Sequence, residues 1–250
     1  MRAAVLPWRA AAALRRPPAR PSCRRLVRGG GEGQGQGGEG ELPAALAATQ
    51  RWVDEMVVGL ALCPYTKPLR QRPHALRLQL TTAQDTHGLL AAVDAELQLL
   101  KPGIGEKHPA APTPETSLLV VAPPDGSATH PLGEGFLGDF RELLHAAWAV
   151  EERIAAAELS DSVQLACFHP CAVYNTYAEL APTTQEGMYY DPAQFSIRSP
   201  YPTFHFLRAR DIADAVAQSP AAAKIPEINQ RRLRELGPAH ARAVFESLLG

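Results

Sequence analysis

The stretch SLLVV at residues 117–121 decides the fold class of this 250-residue chain. A continuous apolar run of this kind is typical of a strand that helices cover on both faces of a sheet. Upstream of it, leucines alternate with polar residues from Leu76 to Leu80, and apolar residues then recur at helical spacing from about Asp85 to Lys101. These segments predict a strand, a crossover helix and a second, parallel strand.

The same alternation continues on both sides of this unit. Apolar patterns predict further strands over 163–168 and 203–207, and helices over roughly 43–61, 136–158, 209–218, 226–236 and 239–249. The sequence therefore predicts an α/β or α+β fold, with a mixed sheet of about four strands and helices packed on it. Its length suits one domain with a sizeable core.

The N-terminal region differs in composition from the rest of the chain. Residues 1–31 contain eight arginines and no acidic residue, and their apolar residues form no long run. This composition predicts a disordered organellar transit peptide over 1–30, recognised by the import machinery. Serine is scarce there, which favours the mitochondrion, with the plastid as the alternative. A Gly- and Glu-rich linker follows over 31–41, and residues 42–250 are predicted to form the globular domain.

Charge and hydropathy exclude several classes of function. Beyond residue 31 the chain has 17 basic against 26 acidic residues, so we expect no nucleic-acid partner. No segment reaches the roughly 18 apolar residues of a membrane helix, which predicts a soluble protein without a membrane span. The sequence also has no phosphate-binding loop or dinucleotide fingerprint, and no cofactor is predicted.

Three proline-punctuated segments carry the candidate functional residues. They read GLALCPY at 59–65, FHP at 168–170 and RSPYPTFHFLR at 198–208. The second lies directly after a predicted strand, at the end where α/β sheets usually hold their ligands. We expect the three segments to converge on one cavity.

Together with Trp52, these segments resemble the domain-of-unknown-function 1415 family over about residues 45–238. The resemblance implies a fold shared with bacterial and organellar proteins, and no established reaction. The chain differs from the family pattern in a longer stretch between His169 and Arg198, with Thr183–Pro192 as the predicted insertion. Cys167 and Cys171 are also particular to this sequence.

The first functional hypothesis is an enzyme that binds a small anionic metabolite. Arg198 and Arg208 would bind its carboxylate or phosphate group, because a guanidinium suits bidentate recognition of both. The hypothesis assigns the other residues as follows: Ser199 and Tyr201 line the substrate site, His169 and His205 are acid–base groups, and Cys63 is a nucleophile. The end of a helix disfavours a thiolate at Cys63.

Two alternatives remain open on the sequence. One is a non-catalytic assembly or protein-interaction factor whose polar segments stabilise the fold. The other is a zinc-binding protein that uses Cys167, His169 and Cys171, whose donor atoms suit Zn²⁺ although their spacing does not match a common zinc motif. Convergence of Cys63, His169, Arg198 and His205 around an open concavity would favour the enzyme.

Overall fold

A computed structural model describes residues 43–101, 113–125, 135–174 and 191–248. Its strands are β1 (Leu76–Thr81), β2 (Thr116–Val121), β3 (Val163–Phe168) and β4 (Thr203–Arg208). Its α-helices are α1 (Ala44–Arg51), α2 (Thr66–Gln71), α3 (Thr86–Leu100), α4 (Phe140–Ala156), α5 (Ala209–Gln218), α6 (Ile225–Leu236) and α7 (Pro238–Ser247). A π-helix at Trp52–Val58 and 3₁₀ helices at Pro192–Ile197 and Pro220–Lys224 complete the described elements.

The four strands form one mixed sheet in the order β1-β2-β4-β3. The pair β1 and β2 is parallel, as the crossover helix α3 requires, and β4 runs antiparallel to both of its neighbours. Because β4 lies inside the sheet, Pro200 and Pro202 mark the start of this strand and not an edge position. The predicted mixed four-stranded sheet in one domain is confirmed.

Helices cover both faces of the sheet because successive strand side chains point to opposite sides. Leu119 of β2 and Phe204 of β4 pack with α3 and α4, on what we call the α3–α4 face. Leu118 packs on the other side with Trp52 and with Phe245 of α7, on what we call the α1–α7 face. The core is therefore divided between two helical layers. In the described ranges, no helix combines the length and the apolarity needed to cross a membrane.

Two predicted helices differ from those observed. The first is α-helical only to Arg51 and continues as a π-helix to Val58, so it ends before the predicted residue 61. Helix α4 begins at Phe140 and not at 136, because Leu137 has a φ of 60° and the Asp139 carboxylate accepts a hydrogen bond from the backbone N–H of Arg141. The transit peptide and linker, and most of the predicted insertion, lie outside the described residues.

Candidate functional site

Aromatic contacts connect the FHP segment to Trp52 and to the segment at 198–208. The ring centroids of Trp52 and Phe168 are 5.1 Å apart in an edge-on arrangement, and those of Phe168 and His205 are 6.2 Å apart. The backbone N–H of His169 donates to the carbonyl of Ile197 over 3.3 Å. The structure thus brings the FHP segment beside Trp52 and beside His205 of the third segment, and Leu62 of the first segment belongs to the same apolar cluster as Trp52 and Phe168.

The segment GLALCPY is anchored by its backbone to helix α6. The amide of Asn229 donates to the Leu62 carbonyl over 2.7 Å, and Arg232 donates to the carbonyls of Leu60 and Ala61. These carbonyls follow the end of the π-helix, where the main chain has no further helical donors. Gly59 is required at this end, because a Cβ there would lie 2.2 Å from the carbonyl oxygen of Glu55.

His169 is completely buried, and both of its ring nitrogens contact backbone groups. Its Nε2 lies 2.9 Å from the Leu137 carbonyl, and its Nδ1 accepts a hydrogen bond of 3.0 Å from the N–H of Cys171. A carbonyl can only accept, so the proton of the ring is on Nε2. The ring also lies 5.9 Å from that of Phe140, whose side chain belongs to the α3–α4 face. His169 therefore links β3 to the start of α4.

Arg198 is a buried cation whose hydrogen-bond partners among the described residues are neutral. It is 3% exposed, its Nε donates to the Ala172 carbonyl over 3.1 Å, and its Nη2 donates to Gln194 Oε1 over 2.8 Å. The guanidinium lies 4.9 Å from the centroid of the Phe195 ring. Burial first, and then the charge of Arg242, lower the pKa of Arg198 to about 10.

Arg208 lies at the far end of β4 and has different partners. Its Nη2 donates to the Thr113 hydroxyl over 3.0 Å and to the Pro114 carbonyl, whereas its Nε is buried without a partner among the described residues. Strand β4 separates Arg208 from Arg198, and its length is about 17 Å at the usual rise per residue. The structure does not bring the two arginines together around one small anion.

Ser199 and Tyr201 are both fully buried in the turn that leads into β4. The Ser199 hydroxyl donates to the Tyr201 carbonyl over 2.5 Å, and Thr203 donates to the same oxygen over 2.8 Å. Burial is the main cause that raises the pKa of Tyr201 to about 12. These contacts shape the turn before β4.

His205 lies on the α1–α7 face, on the side of the sheet opposite to the contacts of His169. Its Nε2 is 2.6 Å from the hydroxyl oxygen of Thr116, and burial lowers the pKa of its imidazole to about 4. A histidine with this pKa is uncharged at neutral pH. Since Phe140 and Leu137 contact His169 from the other side, the two histidines do not share one site.

The cysteines are dispersed. Cys63 is partly buried after the π-helix, and no contact within the described ranges joins it to His169, Arg198 or His205. Cys167 packs in the core of the α3–α4 face, where burial first and the charge of Glu151 second raise the pKa of its thiol. Cys171 is disulfide-bonded. Within the described part of the chain, no three His, Cys, Asp or Glu side chains are arranged to hold a metal ion.

With this geometry established, comparison with known proteins gives one match. A family model described as "Protein of unknown function (DUF1415)" matches residues 44–243. The chain belongs to the DUF1415 family. No curated protein and no solved structure matches the sequence.

The DUF1415 match includes every element of the sheet and all three segments. A cleft of about 160 Å³ lies at the carboxyl ends of β1 and β2. It is lined by residues 43–45, Leu80, Thr82 and residues 122–124, and by none of the predicted site residues.

Sequence reasoning missed several polar partners of these DUF1415 segments. Thr116 was assigned no role, because the register of β2 against β4 that brings its hydroxyl to His205 is not readable from sequence. Gln194 lies in a 3₁₀ helix that the sequence does not predict. Asn229 and Arg232 are three residues apart on α6, a spacing that places both on one side of a helix, but their acceptors are far away in the chain.

Proposed function

We propose that this DUF1415 protein binds a small anion, such as the phosphate or carboxylate group of a metabolite, at Arg198. The observation that carries this proposal is the absence of a counterion. Arg198 forms hydrogen bonds only to the Ala172 carbonyl and the Gln194 amide, and no carboxylate of the described residues pairs with it. A buried charge is normally paired, so an unpaired guanidinium in the interior favours an anionic ligand.

The Nη1 group of Arg198 is the atom available for such a ligand. None of the described residues forms a hydrogen bond with it. The two bonded nitrogens hold the guanidinium plane in place, which reduces the entropy lost on binding.

A second cation lies close to this group. Arg242 of α7 interacts electrostatically with Arg198, and it pairs with Glu246 at 3.6 Å on the surface of the same helix. Phe245, on α7, packs against Phe195 at a centroid distance of 5.4 Å. An anion bound at Arg198 would relieve the repulsion between these two guanidinium groups.

Thermal unfolding in the presence of anions tests the proposal. We expect phosphate or citrate to raise the Tm of the wild-type protein, relative to chloride at equal ionic strength, and the increase to saturate with concentration. Arg198→Gln should abolish this increase and Arg242→Gln should reduce it. Arg210→Gln is the matched control, because it removes the same charge from an exposed surface pair with Asp214.

Equal stabilisation of the wild type, Arg198→Gln and Arg242→Gln by these anions would reject the proposal. So would a wild-type response no larger than that to chloride. The Arg242→Gln variant keeps the test valid if Arg198→Gln fails to fold, because the Arg242 side chain is 33% exposed and its replacement should be tolerated.

A more specific hypothesis is that the protein catalyses a reaction of the bound metabolite. The second candidate function is a non-catalytic assembly or interaction factor. The hydrogen bonds of His169 to Leu137 and Cys171 favour the second candidate, because they occupy both nitrogens of a predicted acid–base group.

We expect His169→Phe to lower the free energy of unfolding by about 2–4 kcal/mol, since it leaves two buried backbone groups unpaired. Chemical denaturation measures this loss, and a loss below about 1 kcal/mol would contradict a structural role.

The location of the protein is a separate proposal, which the composition of residues 1–31 supports. We expect residues 1–42 fused to a fluorescent protein to direct it to mitochondria. Accumulation in plastids would support the alternative, and a diffuse cytosolic signal would contradict both.

A further inference from the structure

His205 stands in the middle of the α1–α7 face, on the interior strand β4. Its register partners are Leu118 on β2 and Ala166 on β3, and the ring of Phe168 lies 6.2 Å away. The imidazole is thus surrounded by apolar side chains on both neighbouring strands. Burial is the cause that lowers its pKa, and no charged side chain contributes to that shift.

The contacts of Thr116 determine which nitrogen of His205 carries the proton. The Thr116 hydroxyl donates its hydrogen to the Phe206 carbonyl over 2.8 Å, because a carbonyl oxygen can only accept. In the 2.6 Å contact between Thr116 Oγ1 and His205 Nε2, the donor must therefore be Nε2–H. Nδ1 of the neutral ring then carries the lone pair.

This Nδ1 atom is an unused hydrogen-bond acceptor. No described residue donates to it, and it is not among the fully buried unpaired atoms of those residues. By its accessible surface, His205 is only partly buried. An accessible acceptor between Leu118, Ala166 and Phe168 suits a ligand that presents one hydrogen-bond donor on an apolar body.

We propose that Nδ1 of His205 binds an uncharged hydrogen-bond donor, a hydroxyl or an amide N–H, of a small molecule on the α1–α7 face. Thr116 is the positioning residue, because its hydroxyl keeps the proton of His205 on Nε2. The surroundings exclude a cationic donor, since within the described residues no carboxylate contacts His205 to offset the desolvation of a charge. This site is independent of the anion site at Arg198.

Chemical modification tests whether Nδ1 is an accessible lone pair. Diethyl pyrocarbonate acylates neutral imidazole: the nitrogen bonds to a carbonyl carbon, monoethyl carbonate leaves and the proton of the other nitrogen is released. At about pH 5 ordinary histidines are protonated and unreactive, because their pKa is about 6.5. We expect peptide mapping by mass spectrometry to find His205 modified at this pH. No modification of His205 at pH 5 or at pH 7.5 would overturn the proposal.

Nitrogen NMR tests the tautomer and the ligand class. We expect long-range ¹H–¹⁵N spectra to show the Nε2–H form of His205 in the wild type and in Thr116→Ser, and a mixture of tautomers in Thr116→Val. Acetamide should shift the Nδ1 resonance, and N,N-dimethylacetamide, which has no N–H donor, should not. An Nδ1–H form in the wild type, an unchanged tautomer in Thr116→Val, or equal responses to the two amides would each contradict the proposal.

Discussion

At the scale of single residues, His205 shows how the sheet changes the acid–base properties of a side chain. Its pKa is about 4 in the folded protein, whereas a histidine in an unfolded chain titrates near 6.5. Between these values the unfolded state binds more protons than the folded state. The stability that depends on neutral His205 is therefore complete above about pH 6.5 and is lost as the pH falls toward 4.

We accordingly expect the free energy of unfolding of the wild type to decrease between pH 7 and pH 4. His205→Gln, which cannot be protonated and can still donate to Thr116, should reduce this decrease by up to about 3 kcal/mol. Urea denaturation at a series of pH values measures the difference. His74→Gln is the matched control, because it makes the same replacement at an exposed position.

If His205→Gln follows the same pH dependence as the wild type, His205 does not have a lowered pKa. The comparison does not depend on the other histidines, because they are common to both proteins.

The residue scale also shows how much of the site the sequence could predict. The FHP segment correctly placed His169 directly after β3, since a strand that ends before proline is a local property. Its partner Leu137 is 32 positions away along the chain, in a turn with a positive φ that the sequence does not reveal. The same limit applies to Arg198, because no sequence pattern indicates its partners Ala172 and Gln194.

At the scale of elements, local patterns predicted strands better than helix type. All four strands were predicted to within a residue at each end, because alternation and apolar runs report burial directly. The π-helix at Trp52–Val58 was predicted as part of an α-helix, since both forms bury residues four apart such as Trp52 and Met56. The sequence pattern does not distinguish their hydrogen-bond spacing.

An ion pair connects two elements of the α3–α4 face and gives a prediction at this scale. The Nε of Arg77 on β1 lies 3.0 Å from the carboxylate of Glu96 on α3, which also accepts a hydrogen bond of 2.5 Å from the Ser117 hydroxyl. Glu96 is 1% exposed, and the Arg77 side chain is 35% exposed. Removal of Arg77 therefore leaves a buried carboxylate, whereas removal of Glu96 leaves a partly exposed guanidinium.

We expect Arg77→Met to destabilise the protein by about 3 kcal/mol, because it leaves a buried carboxylate without a counterion. Glu96→Gln should cost about 1 kcal/mol, since the amide can keep the hydrogen bond to Ser117 and Arg77 can turn to solvent. Denaturant unfolding of both variants and of the double variant measures the costs and their coupling.

The surface pair of Arg72 and Glu115 provides the control, and Arg72→Met should cost about 0.5 kcal/mol or less. A larger cost for Glu96→Gln than for Arg77→Met would show that the carboxylate is not held as a buried charge.

At the scale of the whole molecule, the order of the strands determines which parts of the sheet are protected. Strands β2 and β4 each have a neighbour on both sides, whereas β1 pairs only with β2 and β3 only with β4. The sequence predicted that strands joined by helices are parallel, but it could not show that β4 separates β2 from β3. That order depends on long-range pairing, which leaves no local pattern.

We expect hydrogen exchange to reflect this order. Amides of β2 and β4 should exchange most slowly, with free energies of opening close to that of global unfolding, and about half of the amides in β1 and β3 should exchange faster. Mass spectrometry or NMR detection at neutral pH measures this ranking. Slower exchange in β3 than in β4 would contradict the interior position of β4.

The interior position of β4 also has a consequence for synthesis of the chain. The ribosome delivers β4 after the other three strands, so β2 and β3 each expose an edge until residues 203–208 have emerged. A nascent chain stalled before residue 203 lacks the strand that pairs with both of these edges. We therefore expect chaperones to crosslink to stalled chains that end before β4, and to release them once β4 can insert.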